Sequence, residues 1–171
     1  MLIEVSHLAG IPVATLDTES MVGTVEDTVL HPHTGELVGF WVKPAGWFAA
    51  KRALSARDIV GYEERGLLVR TGDVLVAADE IQPFTSISRQ PDRWLGKPVE
   101  TAEGERLGNV ADVVLDTDLE RVAKLHVAKL FGPARIFDRD QISRVTPTRI
   151  VVTKNLESKA VSTAAIATEA A

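Results

Sequence analysis

The chain has no cysteine, which excludes disulfides, thiolate catalysis and cysteine metal sites. Aromatic residues are sparse, 5% of 171 residues with a single tyrosine, so each large ring is worth placing individually. No apolar run approaches the roughly eighteen residues that a membrane-spanning helix needs. Glu4 and His7 interrupt the N-terminus where a signal peptide requires a continuous apolar core. These absences lead us to expect a soluble, cytoplasmic protein without a transmembrane segment. The phosphate-cradling G-x-x-x-x-G-K-[ST], the G-x-S-x-G elbow and H-E-x-x-H are also missing. Ser6 and His7 are only sequence neighbours, so we expect no enzyme, no catalytic residue and no cofactor.

Charge is unevenly spread. Met1–Thr85 holds six basic and twelve acidic residues, net −6, whereas Ser86–Ala171 is close to balanced at +1. An acidic first half is a poor surface for phosphate backbones and argues against nucleic acid.

What the chain does contain is a duplicated pattern. Val22–Lys43 reads as two β-strands around the turn His31-Pro32-His33-Thr34-Gly35, where proline presets φ and glycine accepts positive φ. Leu107–Lys129 is a degraded copy of it. Gly10, Pro12 and Val13 recur as Gly96, Pro98 and Val99. Gly23, Val25, Asp27, Val29 and Leu30 recur as Gly108, Val110, Asp112, Val114 and Leu115. Val38, Phe40 and Val42 recur as Ala123, Leu125 and Val127, and Leu54, Ile59, Leu67 and Val69 as Phe137, Ile142, Ile150 and Val152. Alternation along strands then places Val25, Val29, Phe40, Val42 and their counterparts on the core face. The expected organisation is a first barrel over 1–85, a linker over 86–92, a second barrel over 93–154 and a flexible Ala-rich tail over 155–171. A short strand is expected over Val74–Ala77.

The pattern G-x-P-V, then V-G-x-V-x-D-x-V-L, a turn, an apolar strand and a closing D-I or Q-I segment resembles the PRC-barrel family. This small β-barrel also occurs in the photosynthetic reaction-centre H subunit and in a ribosome-maturation factor. The resemblance implies an all-β fold of two tandem PRC-like β-barrels related by internal duplication. It also implies an adaptor or scaffold role, with RNA processing in ribosome maturation as the alternative. Arg121, Lys124, Lys129 and Arg135 would carry that alternative.

Four groups of residues are candidates for function. Gly23, Asp27, Gly108 and Asp112 read as structural devices, because a barrel bend is needed in each copy whereas a catalyst is needed once. Asp27 and Asp112 are expected to accept backbone N–H groups where the strands bend. His31, His33, Asp116 and Asp118 offer nitrogens and carboxylates that could hold a metal only if the two turns met, so no metal is expected. Trp41, Trp47 and Phe48 are large apolar side chains expected on an outward face, and mark a contact surface. The surface would face the other barrel, a second copy in a homo-oligomer, or a different protein partner.

Overall fold

A computed structural model of the chain describes residues 1–46, 49–82, 84–89 and 93–153. The expected loop residues Trp47 and Phe48, residues 90–92 of the expected linker and the tail lie outside the described residues.

The chain opens with β1 (Leu2–Glu4) and one helical turn, α1 (Val5–Leu8), followed by β2 (Pro12–Thr15), β3 (Met21–Leu30), β4 (Leu37–Pro44), β5 (Arg52–Ser55), β6 (Ile59–Glu63) and β7 (Gly66–Val69). A second short helix, α2 (Phe84–Ser88), precedes β8 (Pro98–Thr101), β9 (Arg106–Asp116), β10 (Arg121–Ala128), β11 (Arg135–Asp138), β12 (Ile142–Val145) and β13 (Ile150–Val152). The first sheet has the order β5-β4-β3-β2-β7-β6 and the second β11-β10-β9-β8-β13-β12. The two orders are the same after renumbering. In each, one pair is parallel: β2 with β7, and β8 with β13.

Each sheet must curl. β5 and β6 are the two edges of the first sheet, yet only the 3₁₀ turn Ala56–Asp58 separates them in sequence. Ser55 caps that turn by accepting the Arg57 N–H. The turn Arg139–Gln141 bridges β11 and β12 in the same way. Opposite edges can lie three residues apart only if the sheet wraps round on itself. The molecule is therefore all-β, two small barrels in tandem.

The duplication extends to individual hydrogen bonds. Gly10 N–H donates to the Val25 carbonyl at 2.8 Å, and Gly96 N–H donates to the Val110 carbonyl at 2.8 Å. Val25 N–H returns to the Ile11 carbonyl and Val110 N–H to the Lys97 carbonyl, each at 2.9 Å.

Strand alternation does not run unbroken through β3 and β4. The register slips between Val25 and Asp27 and again between Val29 and Leu30, and each bulge moves the following side chains to the opposite face. Val25, Phe40, Val42 and Leu37 lie in the main core, whereas Val29 belongs to a separate cluster with Ala53, Phe84 and Ile87, against which Val38 and Trp41 pack. The expectation that Val29 points into the barrel is thus corrected. The main core is continuous across both barrels, joining Val13, Phe40 and Leu67 to Val99, Leu125 and Ile150. Val74–Ala77 forms no named strand. Val76 instead makes one antiparallel bridge to Ala53, between 3₁₀ turns at Gly72–Val74 and Ala78–Glu80.

Gly23 explains its own residue type. A Cβ there would stand 2.6 Å from Val42 Cγ1 and 2.7 Å from the Lys43 carbonyl oxygen, so a side chain would push β3 and β4 apart.

Candidate functional site

The barrels exchange the segments that precede them. β1, first in the chain, pairs antiparallel with β9 of the second sheet, matching Ile3 with Leu115. α2, which precedes the second barrel, lays Phe84 and Ile87 on Val29 of the first. Leu2–Glu4, which its place in sequence assigns to the first barrel, thus completes the second sheet.

The conserved geometry of the two aspartates follows from the bulge. Asp27 Oδ1 accepts the N–H of Thr28 at 2.9 Å, and Asp112 Oδ1 accepts the N–H of Val113 at 2.7 Å. Each carboxylate satisfies the backbone group that the bulge frees. Neither is deeply buried, contrary to the core-facing position that simple alternation suggests; the bulge turns both outward. There each meets the exchanged segment. Arg93 Nη1 lies 3.1 Å from Asp27 Oδ2, while the Ser6 N–H and Oγ donate to Asp112 at 3.3 and 2.5 Å.

Trp94, which the sequence reading passed over, fastens the seam. It is buried, and its Nε1 donates to the His31 carbonyl at 3.0 Å. Its ring edge and Val122 close over Gly35, where a Cβ would meet both at 3.0 Å and where φ is +74°. Trp94 occupies the place of Leu8 in the first copy, and both belong to the shared core. That correspondence, a tryptophan two residues before the second G-x-P, was the available signal.

Trp41 is placed against its own chain. Phe84 meets it edge-on with ring centroids 5.0 Å apart, and Lys51 Nζ stands 4.3 Å above the ring. Its counterpart His126 is likewise approached by the other exchanged segment, with Nδ1 3.2 Å from Glu4 Oε1. Beside Trp41, between Asp27, Arg93 and Trp94, lies a cavity of about 100 Å³. This is well below the ~300 Å³ at which small-molecule sites begin.

The two histidines serve the turn. His31 Nδ1 accepts the N–H groups of His33 and Thr34 at 3.3 and 3.2 Å. Asp116 Oδ1 accepts those of Asp118 and Leu119 at 3.0 and 3.2 Å in the equivalent turn. Asp118 Oδ2 receives the N-terminal ammonium at 2.7 Å. Among the described residues no three histidine or carboxylate side chains converge on a metal position.

A wide concavity, about 680 Å³, runs along the seam and takes walls from both copies: His31, Glu36, Leu37 and Arg57 from the first, Leu119 and Glu120 from the second. A smaller one of about 320 Å³ between Asp116, Arg121 and Arg139 lies at equivalent positions of the second copy. Glu36 and Arg121 themselves form an antiparallel bridge.

No helix among the described residues is long and apolar enough to cross a membrane. No curated protein matches the chain. The family model described as PRC-barrel domain matches residues 90–159. The matched stretch holds six strands in the order of the first sheet and the same paired glycine and aspartate devices, so the second half of this chain is similar to a PRC-barrel domain, and the first half repeats its strand order.

Proposed function

We propose that the chain is a non-enzymatic interaction module of the PRC-barrel type that binds a protein partner. The observation that carries this reading is the seam concavity, open, wide and walled by both barrels. Its floor includes Leu37 and Val38, its side the exposed Leu119, and its rim Glu36, Asp58, Glu80 and Glu120. An apolar floor within an acidic rim suits a polypeptide segment carrying basic residues. Of the aromatic face expected from the sequence, Trp41 stands apart from the lining of this groove, its ring covered by Phe84 and Lys51.

The test places a photoreactive cross-linker at Leu119 and, as control, at the exposed Val60. A partner cross-linked at Leu119 and lost on Glu36→Lys with Glu120→Lys supports the reading. Equal cross-linking from both positions, or none, overturns it. Trp41→Ala in the same assay measures whether the expected aromatic residue contributes.

An RNA-associated role is the second reading. It is favoured by the stretch Arg121–Phe137, which has four basic residues and no carboxylate. Lys124 Nζ is already held 2.5 Å from Asp138 Oδ1, leaving Arg121, Lys129 and Arg135 to meet phosphates. Salt-sensitive retention of RNA on a filter, lost on Lys129→Glu with Arg135→Glu, would favour it over the groove.

A further inference from the structure

Leu130 and Phe131 form the tip of the β10–β11 loop and are 91% and 85% exposed. Side chains of this size normally recover free energy by burial, about 1.5–3 kcal/mol when complete, and here the fold recovers almost none of it. Gly132 and Pro133 follow at once and turn the chain, so the two side chains project together beside a shallow concavity lined by Arg106, Asn109 and Lys129.

The surroundings of this tip are cationic in a chain whose net charge is −5. Lys129 precedes the pair, Arg135 follows it, and Arg106 comes from the adjacent strand β9. Between Glu120 and Asp138 there is no carboxylate. The charge pattern is not an accident of one copy. In sequence, the equivalent loop of the first barrel is bracketed by Lys43, Lys51 and Arg52, with no carboxylate between Glu36 and Asp58.

From this arrangement we propose that the β10–β11 loop docks on an anionic lipid surface, Leu130 and Phe131 entering the acyl boundary and Lys129, Arg106 and Arg135 meeting lipid phosphates. An apolar tip ringed by cations matches a bilayer whose interior is apolar and whose surface is negative. RNA would match the cations equally well, but it has no use for Leu130, which offers no ring for a base to stack on. A second copy of the chain would bring its own net −5 and the acid-rimmed seam groove, and the dimer outcome of the test below separates that occupant from the lipid surface. One loop and three cations make a weak, salt-sensitive attachment, each cation contributing on the order of a few-fold in affinity. The loop is separate from the seam groove, so this inference stands or falls independently of the proposed function.

The experiment is co-sedimentation of the full chain with vesicles of phosphatidylcholine alone and of phosphatidylcholine with phosphatidylserine, at low and raised ionic strength. Binding is expected to the anionic vesicles only, and to weaken with salt. L130S/F131S should lower the apparent affinity roughly tenfold or more, and K129E several-fold. Both variants should melt at the wild-type temperature, since neither residue of the tip is packed. Absence of sedimentation with anionic vesicles overturns the proposal, and so does undiminished binding by L130S/F131S. Two outcomes assign the loop elsewhere and equally overturn it. One is RNA retention that depends on Lys129 without any vesicle binding. The other is a wild-type dimer that L130S/F131S dissociates, again without vesicle binding.

Discussion

Glu36 and Arg121 occupy the same position in the two copies and pair with each other. Leu37 N–H donates to the Glu120 carbonyl at 2.7 Å, and Val122 N–H donates to the Gly35 carbonyl at 2.9 Å. A contact of a residue with its own counterpart is what a two-fold axis produces in a homodimer. Here the axis lies within one chain, and the halves have been free to diverge on either side of it. A glutamate and an arginine now share this backbone bridge where a symmetric dimer would pair two identical residues.

The same divergence makes Trp94 a one-sided fastener. Trp94→Ala empties a buried site shared by both barrels and leaves the His31 carbonyl with only the Gly35 N–H as donor. We expect a loss of about 3–5 kcal/mol, read as a fall in the denaturant midpoint. Trp94→Phe keeps most of the volume and should cost about 1–2 kcal/mol, mainly the hydrogen bond. Equal effects of the two substitutions would show that the bond to His31 decides the site and packing does not.

Asp27 and Asp112 share the bulge but not their second partners. Replacing Asp27 by Ala strands the Thr28 N–H and should cost about 1–2 kcal/mol. Its pairing with Arg93 adds little, because both side chains are substantially exposed; Arg93→Ala should change stability by less than about 1 kcal/mol. Asp112→Ala frees Val113 and also both donors of Ser6, so its melting temperature should fall further than that of Asp27→Ala. Thermal unfolding that ranks the two the other way would contradict this account of the bulges.

Tyr62, the sole tyrosine, is internal, and its hydroxyl has no hydrogen-bond partner among the described residues. Burial first, and the negative charge of Glu120 second, push its phenol well above the ordinary value. The neutral form is therefore the one the fold favours. That contribution is complete below the unfolded value of about 10 and is lost as pH rises beyond it. Wild-type stability should decline in strongly alkaline solution, and Tyr62→Phe should remove this part of the decline. At neutral pH the same substitution should be neutral or stabilising by up to about 1 kcal/mol, since it deletes an unpaired buried hydroxyl. Parallel stability curves for the two proteins across the alkaline range would refute the assignment.

Gly23→Ala tests the close approach of β3 to β4. With Val42 and the Lys43 carbonyl less than 3 Å from the new methyl, the hairpin must shift, and we expect roughly 1–3 kcal/mol of destabilisation. Gly10→Ala meets nothing within 4 Å and carries only the cost of its positive φ. Its effect, about 1 kcal/mol, sets the baseline for strain without a clash.

Sequence alone determined the repeat, and with it the two barrels, because glycines at close strand approaches, turn residues and apolar strand positions leave a period that survives divergence. It also singled out Asp27 and Asp112, since a polar residue recurring amid apolar ones needs a reason in both copies. Tertiary structure decided which face each side chain took. A bulge inserts one residue without any mark in composition, and it carried Val29 out of the barrel. Tertiary structure also decided what covers those faces. β1 and α2 each cross to the other barrel, and pairing between segments more than a hundred residues apart, as in Ser6 with Asp112, leaves no local pattern to read. The weight of Trp94 was hidden for the same reason: its partners Gly35, His31 and Val122 come together only once both barrels have closed.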